Sequence, residues 1–332
     1  MRSELLKQLI TAHVEGDDVA FRKAVIQLAS AESSAGHTRI AEELRRVASQ
    51  LGERPKSAEG QVVDIARPRG QVAELLEGGH RDERFRDIVL PESTRDLLAR
   101  IARENRARAE LERWQVAPRR RLLFHGPPGC GKTLAAAVLA GELGLPLMTV
   151  RFDALFSRFL GATANHLRII FDEMPRRPGV YLFDEFDAVA QRRGHVQDVG
   201  EMRRIVTSFL QLTDADRSAS LIIAATNHAE LLDRAVFRRF DVEVPFELPD
   251  EQQLAELLAL RLAVFGLPEE LLWRIAQANN GISYADAARA CDDAIRAMVI
   301  DGAESLSPEY LVWSLAVVAG ERNRRLDDTS ER

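Results

Sequence analysis

Apolar residues recur at helical spacing in three short stretches at the start of the chain: Leu5, Leu6 and Leu9, then Phe21, Val25 and Leu28, then Ile40, Leu44 and Val47. Gly16-Asp17-Asp18 and Ser34-Ala35-Gly36 supply turns between them, so residues 1–53 read as a helical module. A narrow apolar stripe on each short helix suits an interaction module better than a catalyst. Pro55, Lys56, Ser57 and Gly60 open a linker, taken over residues 54–86.

A long helical pattern runs from Pro91 through Leu97, Leu98, Ile101 and Leu111. Short apolar runs then alternate with helical ones, and the predicted strands are Arg121 to Phe124, Leu147 to Val150, Val180 to Phe183, Leu221 to Ala225 and Val242 to Phe246. Runs that are apolar without a polar alternate belong to strands covered on both faces, hence an α/β fold with a parallel five-stranded sheet over residues 87–249. Beyond Pro249 the pattern is helical throughout 250–320, with breaks at Gly266-Leu267-Pro268, Asn279-Asn280-Gly281 and Ser305 to Pro308. This part reads as a small all-helical subdomain, closed by a helix in which Tyr310, Leu311, Trp313, Leu315 and Val318 pack inward. Residues 321–332 read as a flexible tail.

Composition narrows the classes without choosing one. With 46% hydrophobic and 29% charged residues the chain is ordinarily globular. No stretch approaches the roughly 20 apolar residues of a membrane span, so a cytoplasmic location and no membrane partner are expected. A net charge of −6 gives no basic footprint for nucleic acid. The two cysteines, Cys130 and Cys291, lie too far apart in sequence to suggest a disulfide framework or zinc site. Arginines number 41 against four lysines, so an arginine carries little information while Lys132 carries more.

Lys132 closes the sequence Gly126-Pro127-Pro128-Gly129-Cys130-Gly131-Lys132-Thr133, which fits G-x-x-x-x-G-K-[ST] between a predicted strand and a helix carrying Leu134, Val138 and Leu139. Glycines let backbone N–H groups converge on a polyphosphate, the helix N-terminus adds positive potential, Lys132 reaches the outer phosphates, and Thr133 offers a hydroxyl to Mg²⁺. Val180-Tyr-Leu-Phe-Asp184-Glu185 delivers two acids at a strand end: Asp184 for the Mg²⁺ shell, Glu185 to orient or deprotonate water. A second acid there points to hydrolysis rather than binding alone. Cys130 is either a tolerated small residue or a thiol whose pKa the helix N-terminus depresses.

Over about residues 87 to 300 these motifs resemble the AAA-type ATPases, the group of FtsH-like, katanin-like and spastin-like remodelling enzymes. Leu221-Ile-Ile-Ala-Ala-Thr-Asn227 resembles the strand that ends in the asparagine placing the attacking water. Leu232-Asp233-Arg-Ala-Val-Phe-Arg238-Arg239-Phe-Asp241 resembles the region whose arginines reach into the neighbouring subunit's nucleotide; here the two are adjacent, and either one is the candidate finger. Phe156-Ser-Arg158-Phe159-Leu160-Gly161 resembles the pore loop that grips an extended polypeptide, with Phe159 and Leu160 as its gripping pair, and residues 191–200, with Arg192, Arg193 and His195, resemble a second pore-facing loop. Gly281-Ile-Ser283-Tyr284-Ala285-Asp286 resembles the start of a lid helix near base and ribose. Relatives often have glycine where Tyr284 stands, so its ring either stacks on the nucleotide or packs the lid. Asp87 and Ile88 match the segment beside adenine.

The resemblance implies ATP and Mg²⁺ as cofactors. The implied nucleotide contacts come from Gly126 to Leu134, Asp87, Ile88, Asp184, Tyr284 and Ala285, the metal contacts from Thr133 and Asp184, and catalysis from Lys132, Glu185, Asn227, Arg238 and Arg239. It further implies self-assembly, expected as a hexamer, and a protein client drawn through the pore. The N-terminal helices then recruit either the client or a partner protein. The alternative is a nucleotide-controlled switch or scaffold acting on a partner enzyme such as a subtilisin-like protease. DNA remodelling is disfavoured by the acidic balance.

Overall fold

The computed structural model describes residues 71–155, 162–187 and 196–330. The N-terminal helical module (1–53), the start of the linker, Phe159 and Leu160 of the first pore loop, and Arg192, Arg193 and His195 of the second lie outside the described residues.

Six strands form one sheet in the order β1-β3-β4-β5-β2-β6: β1 Leu76–Gly79, β2 Arg121–His125, β3 Leu147–Val150, β4 Val180–Phe183, β5 Leu221–Thr226 and β6 Val242–Pro245. The five strands predicted from apolar runs are all present and mutually parallel. The sixth corrects the expected five-stranded parallel sheet to a mixed one: β1 pairs antiparallel with β3, Leu76 opposite Val150 and Gly79 opposite Leu147. It also shortens the linker, because residues placed there form helix α1 (Gln71–Leu75), β1 and a 3-10 turn at Phe85–Asp87.

Period-two alternation explains why those apolar runs are uninterrupted. Leu122 and Phe124 of β2 face one core, with Leu182, Ile223, Val244 and the buried side of α4 (Lys132–Leu143). Leu123 faces the other, with Tyr181, Phe183, Ile222 and Ala224. There α6 (Ala162–Glu173) and α7 (Val196–Ala215) cover the sheet. Phe209 of α7 sits at the centre, its ring centroid 4.9 Å from Phe183, 4.8 Å from Phe186 and 5.9 Å from Phe171. Helix α2 (Glu92–Arg106) buries Leu98 and Ile101 on the first face; the short α3 (Arg108–Arg113) lies between α2 and β2 in the chain, and α5 (Phe152–Leu155) follows β3.

The helical C-terminal part begins at a capping box: Asp250 Oδ1 accepts from Gln253 N at 2.7 Å, while Asp250 N donates to Gln253 Oε1 at 3.2 Å. Following the short α8 (Arg234–Phe237), its helices are α9 (Glu251–Arg261), α10 (Glu269–Ala278), α11 (Tyr284–Ile300) and α12 (Pro308–Ser330). They share a third core in which Leu254, Leu258, Ala287, Cys291, Leu311 and Leu315 are buried. Val89 joins this core while its neighbour Ile88 joins the first, so the Asp87–Val89 segment runs along the seam between sheet and lid. Two expectations are corrected here. Trp313 points outward, 62% exposed, on the face of α12 opposite Leu311 and Leu315. The supposed tail is helical through Ser330.

Candidate functional site

β2 stops at His125 because the chain must turn sharply over the sheet edge, and Gly126 makes that turn with φ of +139°. A Cβ there would lie 1.8 Å from the Phe246 carbonyl oxygen, a backbone atom that cannot rotate away. Gly126→Ala is therefore expected to lose nucleotide binding and to cost about 3 kcal/mol or more, from overpacking and a glycine-only backbone region together. Thermal melting checks it: Tm should fall by roughly 2–4 °C per kcal/mol in a chain of this size, and an unchanged Tm would refute the steric argument.

The loop then curls through Gly129 (φ +76°) and Gly131 (φ +90°) into α4. Lys132 is buried at 6% exposure, and its Nζ donates to Gly126 O and Pro127 O, both at 2.7 Å. Burial pulls its ammonium below the usual lysine range, opposed by Cys130, Asp184 and Asp187. A desolvated cation at the mouth of a helix N-terminus is poised for phosphate oxygens. Cys130 is buried as well, its Sγ 3.8 Å from Pro128 O. Desolvation raises its thiol pKa despite the nearby Lys132, so the tolerated-small-residue reading holds over the reactive thiolate.

Thr133 Oγ1 donates to Asp184 Oδ2 at 2.6 Å, joining the first turn of α4 to the end of β4. Hydroxyl and carboxylate are hard oxygen donors of the kind Mg²⁺ takes alongside substrate phosphates. Among the described residues no group of three or more His, Cys, Asp or Glu could cage a metal. The pair thus fits an ion held largely by nucleotide and water. Asp184 Oδ1 accepts from Glu185 N at 2.9 Å, and Glu185 adopts φ of +52°, unusual for a residue with a side chain. That conformation ends the strand abruptly and leaves the Glu185 carboxylate exposed at the cleft.

The cleft is about 430 Å³ and gathers most of the predicted set: Asp87, Ile88, Pro128 to Leu134, Asp184, Glu185, Asn227, Tyr284 and Ala285. Gly126 and Pro127 stand behind it as acceptors for Lys132. The lid is attached directly to the phosphate loop, since Ala285 N donates to Gly129 O at 3.0 Å. A Cβ on Gly129 would meet Ser283 Oγ at 2.7 Å, which explains the glycine. Of the two tasks the sequence left open for Tyr284, lid packing is the one its contacts make. Its ring borders the cleft, yet it is buried, and its hydroxyl donates to Gln253 Oε1 at 2.7 Å, tying α11 to the capping box of α9. Burial, with Asp250 nearby, pushes its phenol above the usual tyrosine range.

Arg238 and Arg239 are not brought to this cleft. Both are exposed; Arg239 is ion-paired to Asp214, whose other oxygen lies 3.5 Å from Arg121 Nη1, while Arg238 makes no ion pair with a described residue. Two residues were not singled out from sequence. Arg261, held by Asp292 at 2.6 Å, lines the lid wall, and nothing marked it among 41 arginines. Asp187 lies buried beneath the site, and its place two residues beyond Glu185 was the available signal.

A strand feeding a phosphate-binding loop, two acids on the next-but-one strand and a helical lid define a P-loop nucleotide hydrolase. Residues 122–248 match the family described as ATPase family associated with various cellular activities (AAA). The chain is 34% identical over 300 residues to the uncharacterized AAA family ATPase y4kL of Sinorhizobium fredii, covering 90% of each. It is 32% identical over 239 residues to the ATP-dependent zinc metalloprotease FtsH of Acidothermus cellulolyticus, covering 68% of this chain but 35% of that one. Against the cell division cycle protein 48 homolog of Archaeoglobus fulgidus it is 33% identical over 190 residues, 55% of this chain and 26% of the other. The crystal structure of the FIGL-1 AAA domain in complex with ADP shares the fold, with a TM-score of 0.60 at 22% identity over 74% of this chain and 87% of that one. The chain belongs to the AAA family of ATPases and is an ATP-hydrolysing enzyme.

Proposed function

We propose that the protein assembles into a homo-hexameric ring and uses Mg²⁺-dependent ATP hydrolysis to pull protein clients through a central channel. One observation carries the ring: Lys132, Thr133, Asp184, Glu185 and Asn227 line a single cleft, while both arginine candidates are exposed and neither lines it. Arg261 of the same chain lines the cleft but is held by Asp292, so the arginine that stabilises the transferring phosphoryl group is assigned to a second copy, which closes a ring when repeated head to tail. In this reading Thr133 and Asp184 would hold Mg²⁺, which when bound would offset charge on the outer phosphates. Lys132 turns from its two carbonyls to the phosphate oxygens, Glu185 takes the proton of the attacking water, and Asn227 orients that water.

The bound ADP of the FIGL-1 domain and the similarity to an ATP-dependent metalloprotease support ATP as substrate and proteins as clients. Phe159 and Leu160 are assigned the grip on the client, the N-terminal helices its recruitment, and the cytoplasm the location. The assembly's mass decides the ring: the Glu185→Gln variant with ATP is expected to run as six chains, and a single chain with and without nucleotide would overturn it. Phe159→Ala should then abolish client processing while basal ATPase stays within about twofold, because an aromatic grip acts on the client alone. Unimpaired processing would favour the switch on a partner enzyme instead.

A further inference from the structure

Parallel pairing between β4 and β5 runs from Val180 opposite Leu221 to Phe183 opposite Ala224 and then ends. Past that point β4 turns through Asp184 to Asp187 while β5 continues to Thr226. The two remain joined first by a backbone bond, Phe186 N to Ala225 O at 2.8 Å. A side chain then takes over. Asp187 Oδ1 accepts from Thr226 Oγ1 at 2.9 Å and from Asn227 N at 3.1 Å, and Thr226 Oγ1 accepts from His228 N at 3.0 Å. Asp187 is 6% exposed and Thr226 fully buried, so water cannot substitute for these bonds.

We propose that Asp187 is a positioning residue for hydrolysis: its carboxylate takes the place of the missing strand pairing and fixes Asn227 at a set distance from Glu185. The inference rests on the roles given above to Glu185 and Asn227. Asp187 does not line the cleft, so it acts through its neighbours. Glu185 stands two residues before it on a turn whose backbone is already in an uncommon conformation, and Asn227 is held by its own N–H. A carboxylate is stronger here than a neutral acceptor because one oxygen serves two donors in a dry setting. Without it, the side chain of Asn227 loses its reference to Glu185, while the phosphate loop keeps backbone anchors that do not involve the carboxylate: β2 pairs with β5 as far as His125 opposite Thr226, and Gly126 N donates to Thr226 O at 3.3 Å.

Asp187→Ala and the isosteric Thr226→Val test this, each assayed for kcat, KM for ATP and ATP affinity. A misplacement of about 1 Å costs on the order of 10²-fold, so Asp187→Ala should lose kcat by that order with KM within about twofold. Thr226→Val, which keeps the Asn227 bond, should lose less, and Asp187→Asn, which keeps the acceptor oxygen, should recover most of the rate. Adding Asn227→Ala to Asp187→Ala should cost little more than Asn227→Ala alone, because both act on one element. A loss below about fivefold in Asp187→Ala, or a rise of KM matching the fall of kcat, overturns the proposal, since misplacement is expected to act on rate rather than binding. If Asn227→Ala is itself fully active, the reading of the site fails; if it is slow while Asp187→Ala is not, only this inference fails.

Discussion

Glu185→Gln is expected to bind ATP with unchanged affinity and to hydrolyse it about 10²- to 10⁴-fold more slowly, the usual contribution of a positioned general base. The amide matches the carboxylate in shape, and the bond that fixes the turn runs from Glu185 N to Asp184 Oδ1, so no part of the loop geometry depends on the lost charge. Glu185 also stands clear of the loop's own contacts: Lys132 bonds to Gly126 and Pro127, and Thr133 bonds to Asp184. Binding therefore survives while proton transfer from water does not. Single-turnover hydrolysis beside an equilibrium titration with a fluorescent ATP analogue separates the two. Undiminished turnover would remove Glu185 as the base, and lost binding would show that its charge serves the nucleotide instead.

Much of this site could be read from sequence because its signals are local. The phosphate loop is eight consecutive residues, and the acids follow a short apolar run whose length fits a strand covered on both faces, as β4 is. What escaped depends on partners distant in the chain. β1 reads Leu-Glu-Gly-Gly, a poor strand by propensity; it forms because its backbone completes the edge of β3, with one buried leucine as anchor. The end of α12 lacks an apolar period after Val318, and its helix continues by propagation from the buried turns before it. Asp187 has no mark of its own, since its role appears only when Thr226 and Asn227, some forty residues later, fold against it. Tyr284 was ambiguous for a similar reason: which of its two tasks it performs is set by Gln253, 31 residues away.

Arg238→Ala is expected to lower kcat by about 10³-fold with little change in KM, the low end of what an arginine finger contributes. Sequence left Arg238 and Arg239 equivalent; the fold separates them. The Arg239 guanidinium is bonded to Asp214 on α7, which also lies 3.5 Å from Arg121 Nη1, and the Arg121 backbone bonds Asp241 just ahead of β6. Releasing it to reach a neighbour would leave Asp214 short of a partner. Arg238, at the end of α8, is exposed and free of ion pairs with described residues, so it can extend at no such cost. Arg239→Ala removes a half-exposed pair and should cost only about 0–1 kcal/mol of stability, with a correspondingly modest loss of rate. The decisive measurement mixes two inactive variants. Arg238→Ala keeps an intact Glu185, and Glu185→Gln keeps an intact Arg238, so a mixed ring restores a complete site wherever the first variant's cleft meets the second variant's arginine. Equal random mixing completes roughly a quarter of the interfaces, and activity should rise to that order from two dead samples. No recovery on mixing, with ring formation verified by mass, would place the arginine in its own subunit or out of catalysis altogether. A fall with Arg239→Ala in place of Arg238→Ala would instead show that the Asp214 pair opens when the ring forms.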